Sequence, residues 1–293
     1  MGKWRKAVRG RLRLTVQILF TAITNGYAAG FAGGKIFTGG SKAYCLPGLN
    51  CYSCPGALGA CPIGSLQAVL GSRKFSMSFY VVGFLMMVGA LVGRFVCGWL
   101  CPFGLVQDLL YKIPFVAKLH RLPGERWLKK LKYLLLVGFV IVLPLFVVDL
   151  LGQGQPWFCT YVCPSGTLMA GIPLMITNPA LRGAIGWLFT WKALVLAVLV
   201  VLSLLVYRPF CRYLCPLGAL YGLFNPVSLL RLKVDDSRCT RCGQCQKTCG
   251  LDIPVWQAPN SPDCIRCGAC VSACPHGALC SSLPFGKKRA QEK

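Results

Sequence analysis

Two tandem cysteine runs, Cys239-x2-Cys242-x2-Cys245-x3-Cys249 and Cys264-x2-Cys267-x2-Cys270-x3-Cys274-Pro275, carry the first chemical signal in this 293-residue sequence. Three thiolates on one tight loop can cap three corners of an iron–sulfur cube. The fourth corner points away from the loop and needs a ligand from a distant segment. Two such runs supply each other. One [4Fe–4S] site takes Cys239, Cys242, Cys245 and Cys274, and the other takes Cys264, Cys267, Cys270 and Cys249. A zinc site or a set of disulfides does not account for the doubled pattern. With the thiolate count complete, His276 reads as a turn residue beside the first cluster rather than a ligand. The chemistry implied is one-electron transfer.

Further cysteines fall in three C-x3-C-P motifs, Cys97/Cys101-Pro102, Cys159/Cys163-Pro164 and Cys211/Cys215-Pro216, and in a group made of Cys45, Cys51, Cys54 and Cys61-Pro62. Residues three or four apart share a helix face, and proline suits a helix's first turn. Each motif is therefore expected at a helix junction with its sulfurs on one side. The segments repeat. RFVCGWLCPFG from Arg94 matches RPFCRYLCPLG from Arg208, and CPIGSL from Cys61 matches CPSGTL from Cys163. A parallel duplication packed about a pseudo-twofold axis offers Cys97, Cys101, Cys211 and Cys215 to an inner-face site. It offers Cys51, Cys54, Cys61, Cys159 and Cys163 to an outer-face site. Ligand count favours a cluster or another metal at the inner set, with buried free thiols as the alternative. At the outer set metal ligation and disulfides stand equal. Cys45 and Cys280 read as spare thiols.

The elements that position these groups are apolar. Hydrophobic residues make up 55% of the chain and the mean hydropathy is +0.58. Stretches 14–37, 77–99, 133–151 and 184–207 are each long enough to cross a bilayer, which takes about 20 apolar residues. The first reads as a retained span and not a cleaved signal, with Asn25 near its middle. The net charge of +24 is distributed as topology requires: basic residues crowd the first thirteen positions, the stretch 102–132 and the region after 207, while only Arg182 lies between the third and fourth stretches. Basic short loops mark the cytoplasmic side. The expectation is a multi-pass protein of a prokaryotic cytoplasmic membrane, in contact with lipid, with both termini in the cytoplasm. Nucleic acid is not an expected partner, since aromatic residues are not interleaved with the charges for base stacking. The fold expected is membrane all-α: four transmembrane helices as a duplicated helical hairpin with Cys-Pro turns over residues 1–207. A C-terminal α+β bacterial-type 2[4Fe-4S] ferredoxin domain with a short basic tail follows over residues 208–293.

CGWLCPFG (Cys97 to Gly104), CRYLCPLGALYG (Cys211 to Gly222) and the double run from Cys239 to Cys274, on a four-span frame, resemble the NapH/NosR-type membrane-bound 4Fe-4S ferredoxins over nearly the whole chain. The resemblance implies electron passage between the quinone pool and a partner reductase, or support of metalloenzyme maturation. It carries over the ferredoxin cysteines as ligands and the C-x3-C-P cysteines as functionally required. The chain departs from the family in its Cys45–Cys61 group, in the C-x3-C-P at Cys159, and in lacking a Ser/Thr-Gly-Ala-Thr stretch for covalent flavin attachment. Gly250 also stands where many ferredoxins have proline.

Three functions follow. The first is an electron-transfer subunit working between quinone, or an outer-face donor, and a partner redox protein, with two [4Fe–4S] clusters and room for one or two more in the membrane part. The second is a maturation factor handling a soft metal at the C-x3-C-P cysteines. The third is a thiol-based redox sensor. No Ser/His/Asp set, Walker loop or dinucleotide motif is present, so the chain has no evident enzyme active site. Among lone residues, Arg94 is expected to snorkel to the interface, Lys192 faces the same choice nearer the outer side, Asp149 reads as a helix-end polar group and His120 as solvated.

Overall fold

The computed structural model describes residues 2–72, 78–114, 117–149, 153–183 and 185–282. Helix α1 (Gly2–Thr24) ends where the Asn25 side-chain amide donates to the Thr21 carbonyl at 3.1 Å, and a short α2 (Ala28–Gly33) follows. Helix α3 (Pro62–Leu70) precedes α4 (Ser78–Val92), which stops at Gly93 with φ +53° before the short α5 (Phe95–Trp99). Helix α6 (Pro102–Tyr111) comes next. Then α7 (Glu125–Leu134) runs through a π-helical stretch, Leu135–Val142, into α8 (Leu143–Phe146). Helix α9 (Pro164–Gly166) continues through a π turn, Thr167–Gly171, into α10 (Ile172–Thr177), followed by α11 (Pro179–Arg182), α12 (Trp187–Leu205) and α13 (Pro216–Phe224).

Among the described residues only α12 is long and apolar enough to cross a bilayer by itself; the apolar helix Phe79–Val92 is shorter. Four transmembrane helices are therefore not shown as four single apolar helices among the described residues. Asn25-Gly26 interrupts the first stretch, Gly93 interrupts the second, and the helix of the third ends at Phe146. Residues 77, 150–151 and 184, at the limits of the expected spans, lie outside the described residues, as does the basic tail from 283.

Helices α3, α6, α9 and α13 each begin at a Cys-Pro pair. Proline bars the preceding residue from the helical region and fits the first helical position. Cys61, Cys101, Cys163 and Cys215 are accordingly extended, with ψ of 126°, 119°, 111° and 113°. The halves meet in a buried core where Phe103 stands edge-on to Phe210 at 5.0 Å, a core that also holds Ile63, Val96, Phe158, Leu217 and Tyr221.

The ferredoxin region is closed by β1 (Leu232–Val234), antiparallel to β2 (Leu279–Ser281) with Lys233 opposite Cys280. It carries two short helices, α14 (Gln244–Thr248) and α15 (Ala269–Ala273). Its two loops share one backbone trace: Arg241 and Gly243 in the first, and Arg266 and Gly268 in the second, all have positive φ. The second loop is clamped to the helical part. Buried Asn225 donates to the Ser261 and Cys264 carbonyls at 2.9 and 2.8 Å. Arg266 donates to the carbonyls of Val92 and Asn225, and Trp99 Nε1 donates to the Arg266 carbonyl at 3.2 Å.

Candidate functional site

The ferredoxin cysteines gather as two sets. Cys239, Cys242, Cys245 and Cys274 line one open pocket, with His276 and Trp256 on its wall. Cys249, Cys264, Cys267 and Cys270 line a second, walled by Tyr207, Ile253, Val255 and Ile265. In each set three sulfurs come from one loop and the fourth from the other run, as the donor set for a cubane requires. His276 lines the wall and the four thiols complete the ring.

The C-x3-C-P cysteines form two further sets, each built across the two halves. Every pair among Cys97, Cys101, Cys211 and Cys215 lies within electrostatic range. So does every pair among Cys51, Cys61, Cys159 and Cys163. Cys54 adjoins Cys51 but turns its sulfur to Asn25 Oδ1 at 3.7 Å, and Cys45 is bonded to Ser65. Cys280 is exposed on β2. Among the described residues no three His, Cys, Asp or Glu side chains converge closely enough for a single metal ion. A cube presents its irons at separate corners and takes thiolates that stand further apart.

Both sets are wrapped alike. Gln67 and Gln107 each lie six residues after a Cys-Pro cysteine. Gln67 Nε2 donates to Cys159 Sγ at 3.2 Å and its Oε1 accepts from Phe158 N at 2.9 Å. Gln107 Nε2 donates to Cys211 Sγ at 3.1 Å and its Oε1 accepts from Phe210 N at 3.1 Å. The sequence signal was present, as C-P-x-G-x-x-Q at 61–67 and 101–107, and sequence reasoning passed over it. Arg94 and Arg208, each three residues before a cysteine, cross over. Arg94 donates to the Cys211 carbonyl at 2.8 Å, and Arg208 donates to the Cys97 carbonyl.

Arg94 does not snorkel. It is 1% exposed, also bonds the Pro262 carbonyl at 2.9 Å and lies 3.6 Å from Asp263. The ferredoxin loop covers the end of the helical part and leaves its guanidinium no route to water. Lys192 donates to the Cys159 carbonyl at 3.2 Å beside the second set. Asp149 is exposed and accepts from Gln155 at 3.3 Å. His120 is exposed, and its carbonyl takes a bond from Arg212. Sequence reasoning also missed Asp108, a buried carboxylate held by Arg208 at 2.6 and 2.7 Å, by Arg13 and by Gln17. Burial alone would raise its pKa, but the charge and hydrogen bonds of Arg208, then Arg13, hold it well below the usual carboxylate range.

The two sets in the helical part were expected at opposite membrane faces. They are neighbours instead. The Leu49 backbone faces Cys101 Sγ and that of the next residue, Asn50, faces Cys61 Sγ. One peptide step of about 3.8 Å with a hydrogen bond's reach on either side puts those sulfurs within roughly 12 Å. A Cβ on Gly48 would stand 3.2 Å from Cys101 Cα, and Tyr221 Oη donates to the Pro47 carbonyl at 3.1 Å. The loop from Cys45 folds inward between the sets. On the other side Gly98, next to Cys97, abuts the carbonyl of Ile265, next to Cys264. The second ferredoxin set thus adjoins that of Cys97 and Cys211, which adjoins that of Cys51 and Cys159.

The donor chemistry of the helical part fits an anionic cluster. Arg94, Lys129 and Lys132 share Asp263, which leaves positive charge beside Cys97 and Cys211. Both polar side-chain atoms of Asn50, between the two sets, are buried without a partner.

A 4Fe-4S binding domain model, Fer4_5, matches residues 75–124, 133–174 and 187–234, and a second, Fer4, matches residues 260–280. An uncharacterized protein of Methanocaldococcus jannaschii is 30% identical over 205 residues, 69% of either chain. The ferredoxin-type protein NapH of Haemophilus influenzae is 27% identical over 241 residues, 78% of this chain and 68% of its own. The methylamine utilization ferredoxin-type protein MauN of Methylorubrum extorquens is 29% identical over 193 residues, 65% of this chain and 55% of its own. No solved structure is similar.

Proposed function

The chain belongs to the NapH/YccM/MauN-type ferredoxin family, and from that premise we propose that it is a membrane-embedded electron-transfer protein with four [4Fe–4S] sites. Two are the ferredoxin sets. The third is Cys97, Cys101, Cys211 and Cys215, and the fourth is Cys51, Cys61, Cys159 and Cys163. Bound cubanes take up and release single electrons. The protein's own residues hold the sites in sequence, keep water from them and supply buried positive charge.

The observation that carries the reading is the pair of crossed arginines. Arg94 and Arg208 are 1% and 0% exposed, and each grips the first cysteine of the other half. Asp108 balances Arg208, but Asp263 is shared by Arg94, Lys129 and Lys132, and the positive charge left over beside Cys97 and Cys211 suits an anionic cluster better than four neutral thiols. Membrane embedding is supported by the apolar side chains that α4 and α12 turn outward, among them Phe79, Met86, Met87, Leu194, Val198 and Val201. An exposed apolar surface of that extent calls for lipid or a partner. A redox partner follows from the ferredoxin-type relatives. Electrons are proposed to reach it from quinone or another membrane-side donor.

Iron and acid-labile sulfide on anaerobically purified protein test the proposal. About sixteen irons per chain are expected, and Cys101→Ser with Cys215→Ser should remove about four while the ferredoxin spectrum stays. About eight irons in the unaltered protein would confine the clusters to the ferredoxin region.

A further inference from the structure

Gln67 and Gln107 are placed alike, and the placement does more than join helices. Each is 0–1% exposed, so water does not compete for its amide. Each carbonyl oxygen is committed to a peptide N–H, that of Phe158 or of Phe210. An amide's orientation follows from such a network: with oxygen facing a donor, nitrogen must face the sulfur. The two hydrogens on nitrogen are also accounted for. One goes to the carbonyl four residues back, Ile63 at 3.2 Å or Phe103 at 3.4 Å. The other goes to Cys159 or Cys211 Sγ. The corresponding positions of the second half are Met169 and Tyr221, which supply no amide, so each set has one such sulfur donor.

We propose that Gln67 and Gln107 raise the reduction potentials of the two clusters in the helical part, each by a side-chain amide hydrogen bond to a ligand sulfur that adds to backbone donors such as the Gly218 N–H on Cys215 Sγ. This rests on the reading that those thiol sets hold cubanes. A hydrogen bond to a thiolate stabilises the more electron-rich, reduced cluster and raises its potential. Removing the bond lowers it. Because the site is dry, the bond is worth more than the same bond in water. A fall of about tenfold in the reduction equilibrium, about 59 mV for one electron, is the expected size. Gln67 acts on the set containing Cys159, and Gln107 on the set containing Cys211.

The test is a redox titration followed by electron paramagnetic resonance, with iron content measured on each sample. Gln107→Leu should lower one midpoint, Gln67→Leu a different one, and neither should move the ferredoxin pair. Gln107→Glu separates tuning from building. It keeps an oxygen for the Phe210 N–H but turns an oxygen, not an N–H, to the sulfur. Iron retained in this variant shows that the site still assembles, and the midpoint is read in the neutral leucine variant, because a glutamate brings a charge or an O–H donor of its own. Full iron content with unshifted midpoints overturns the assignment. So does loss of about four irons in both the Leu and the Glu variant, since Gln107 would then only assemble the site. About eight irons in the unaltered protein removes the helical-part clusters and this inference with them.

Discussion

Asp108 is 4% exposed and takes two bonds from Arg208, one from Arg13 and one from Gln17. Arg208 in turn holds the Cys97 carbonyl, so the carboxylate fixes the cation that fixes a proposed ligand. Asp108→Ala leaves a wholly buried guanidinium without its counter-ion, which costs about 3–5 kcal/mol, read as a lower unfolding midpoint in detergent. The pH dependence has a definite sign. A carboxyl whose folded pKa is depressed binds protons more readily when unfolded. Its contribution is complete above the unfolded value of about 3.9 and is lost as pH falls below it. Stability should therefore decline on acidification below about pH 4, and Asp108→Asn should flatten that limb. An unchanged acid limb in Asp108→Asn would assign it to other carboxylates, such as Asp263, whose pKa burial would raise but Lys132 and Arg94 hold low.

At the scale of elements, the Cys-Pro junctions and the docked ferredoxin loop place the sulfurs. Helix α13 passes so close to that loop that a Cβ on Gly222 would stand 2.7 Å from the Pro262 carbonyl. Backbone cannot yield as a flexible side chain does. Gly222→Ala should therefore lift the loop, seen as faster amide exchange over residues 261–268. Gly138→Ala is the control, because a Cβ there meets nothing within 4 Å, and removing a helical glycine stabilises by about 0.5–1 kcal/mol. Equal exchange in the two variants would mean that the loop is held elsewhere. What was legible in the sequence follows the same division. The ferredoxin pairing could be read because its spacing is a local property of two loops. The helix starts could be read because proline restricts its own neighbour. The Gln67 and Gln107 contacts join residues 92 and 104 positions apart, and only packing brings those ends together. The same holds for Arg94, whose burial depends on a loop near residue 263. Hydropathy averaged over about 20 residues also smoothed across Asn25-Gly26 and Gly93, where the helices break.

For the whole molecule the order of the thiol sets is the argument. Cys242 is exposed, so the first ferredoxin set is the outermost and the natural face for a soluble partner. The second ferredoxin set meets the helical part at Ile265 and Gly98. Beyond it lies the set of Cys97 and Cys211. The set of Cys51 and Cys159 follows across the Leu49–Asn50 strap, with Lys42 and Lys192 close to Cys51. Neighbouring steps are short: roughly 12 Å between Cys61 and Cys101 sulfurs, against a hydrocarbon core of about 30 Å. In the membrane-embedded reading proposed above, the set of Cys51 and Cys159 is the deepest site. If the order holds, the set of Cys97 and Cys211 touches two neighbours and the first ferredoxin set touches one. In the fully reduced protein, Cys101→Ser with Cys215→Ser should sharpen the magnetic resonance signals of the second ferredoxin cluster and of the deepest site, by removing the spin between them. The mutual broadening of the two ferredoxin clusters should persist. Broadening that survives at the deepest site would show that it couples to the ferredoxin directly and would overturn the linear order.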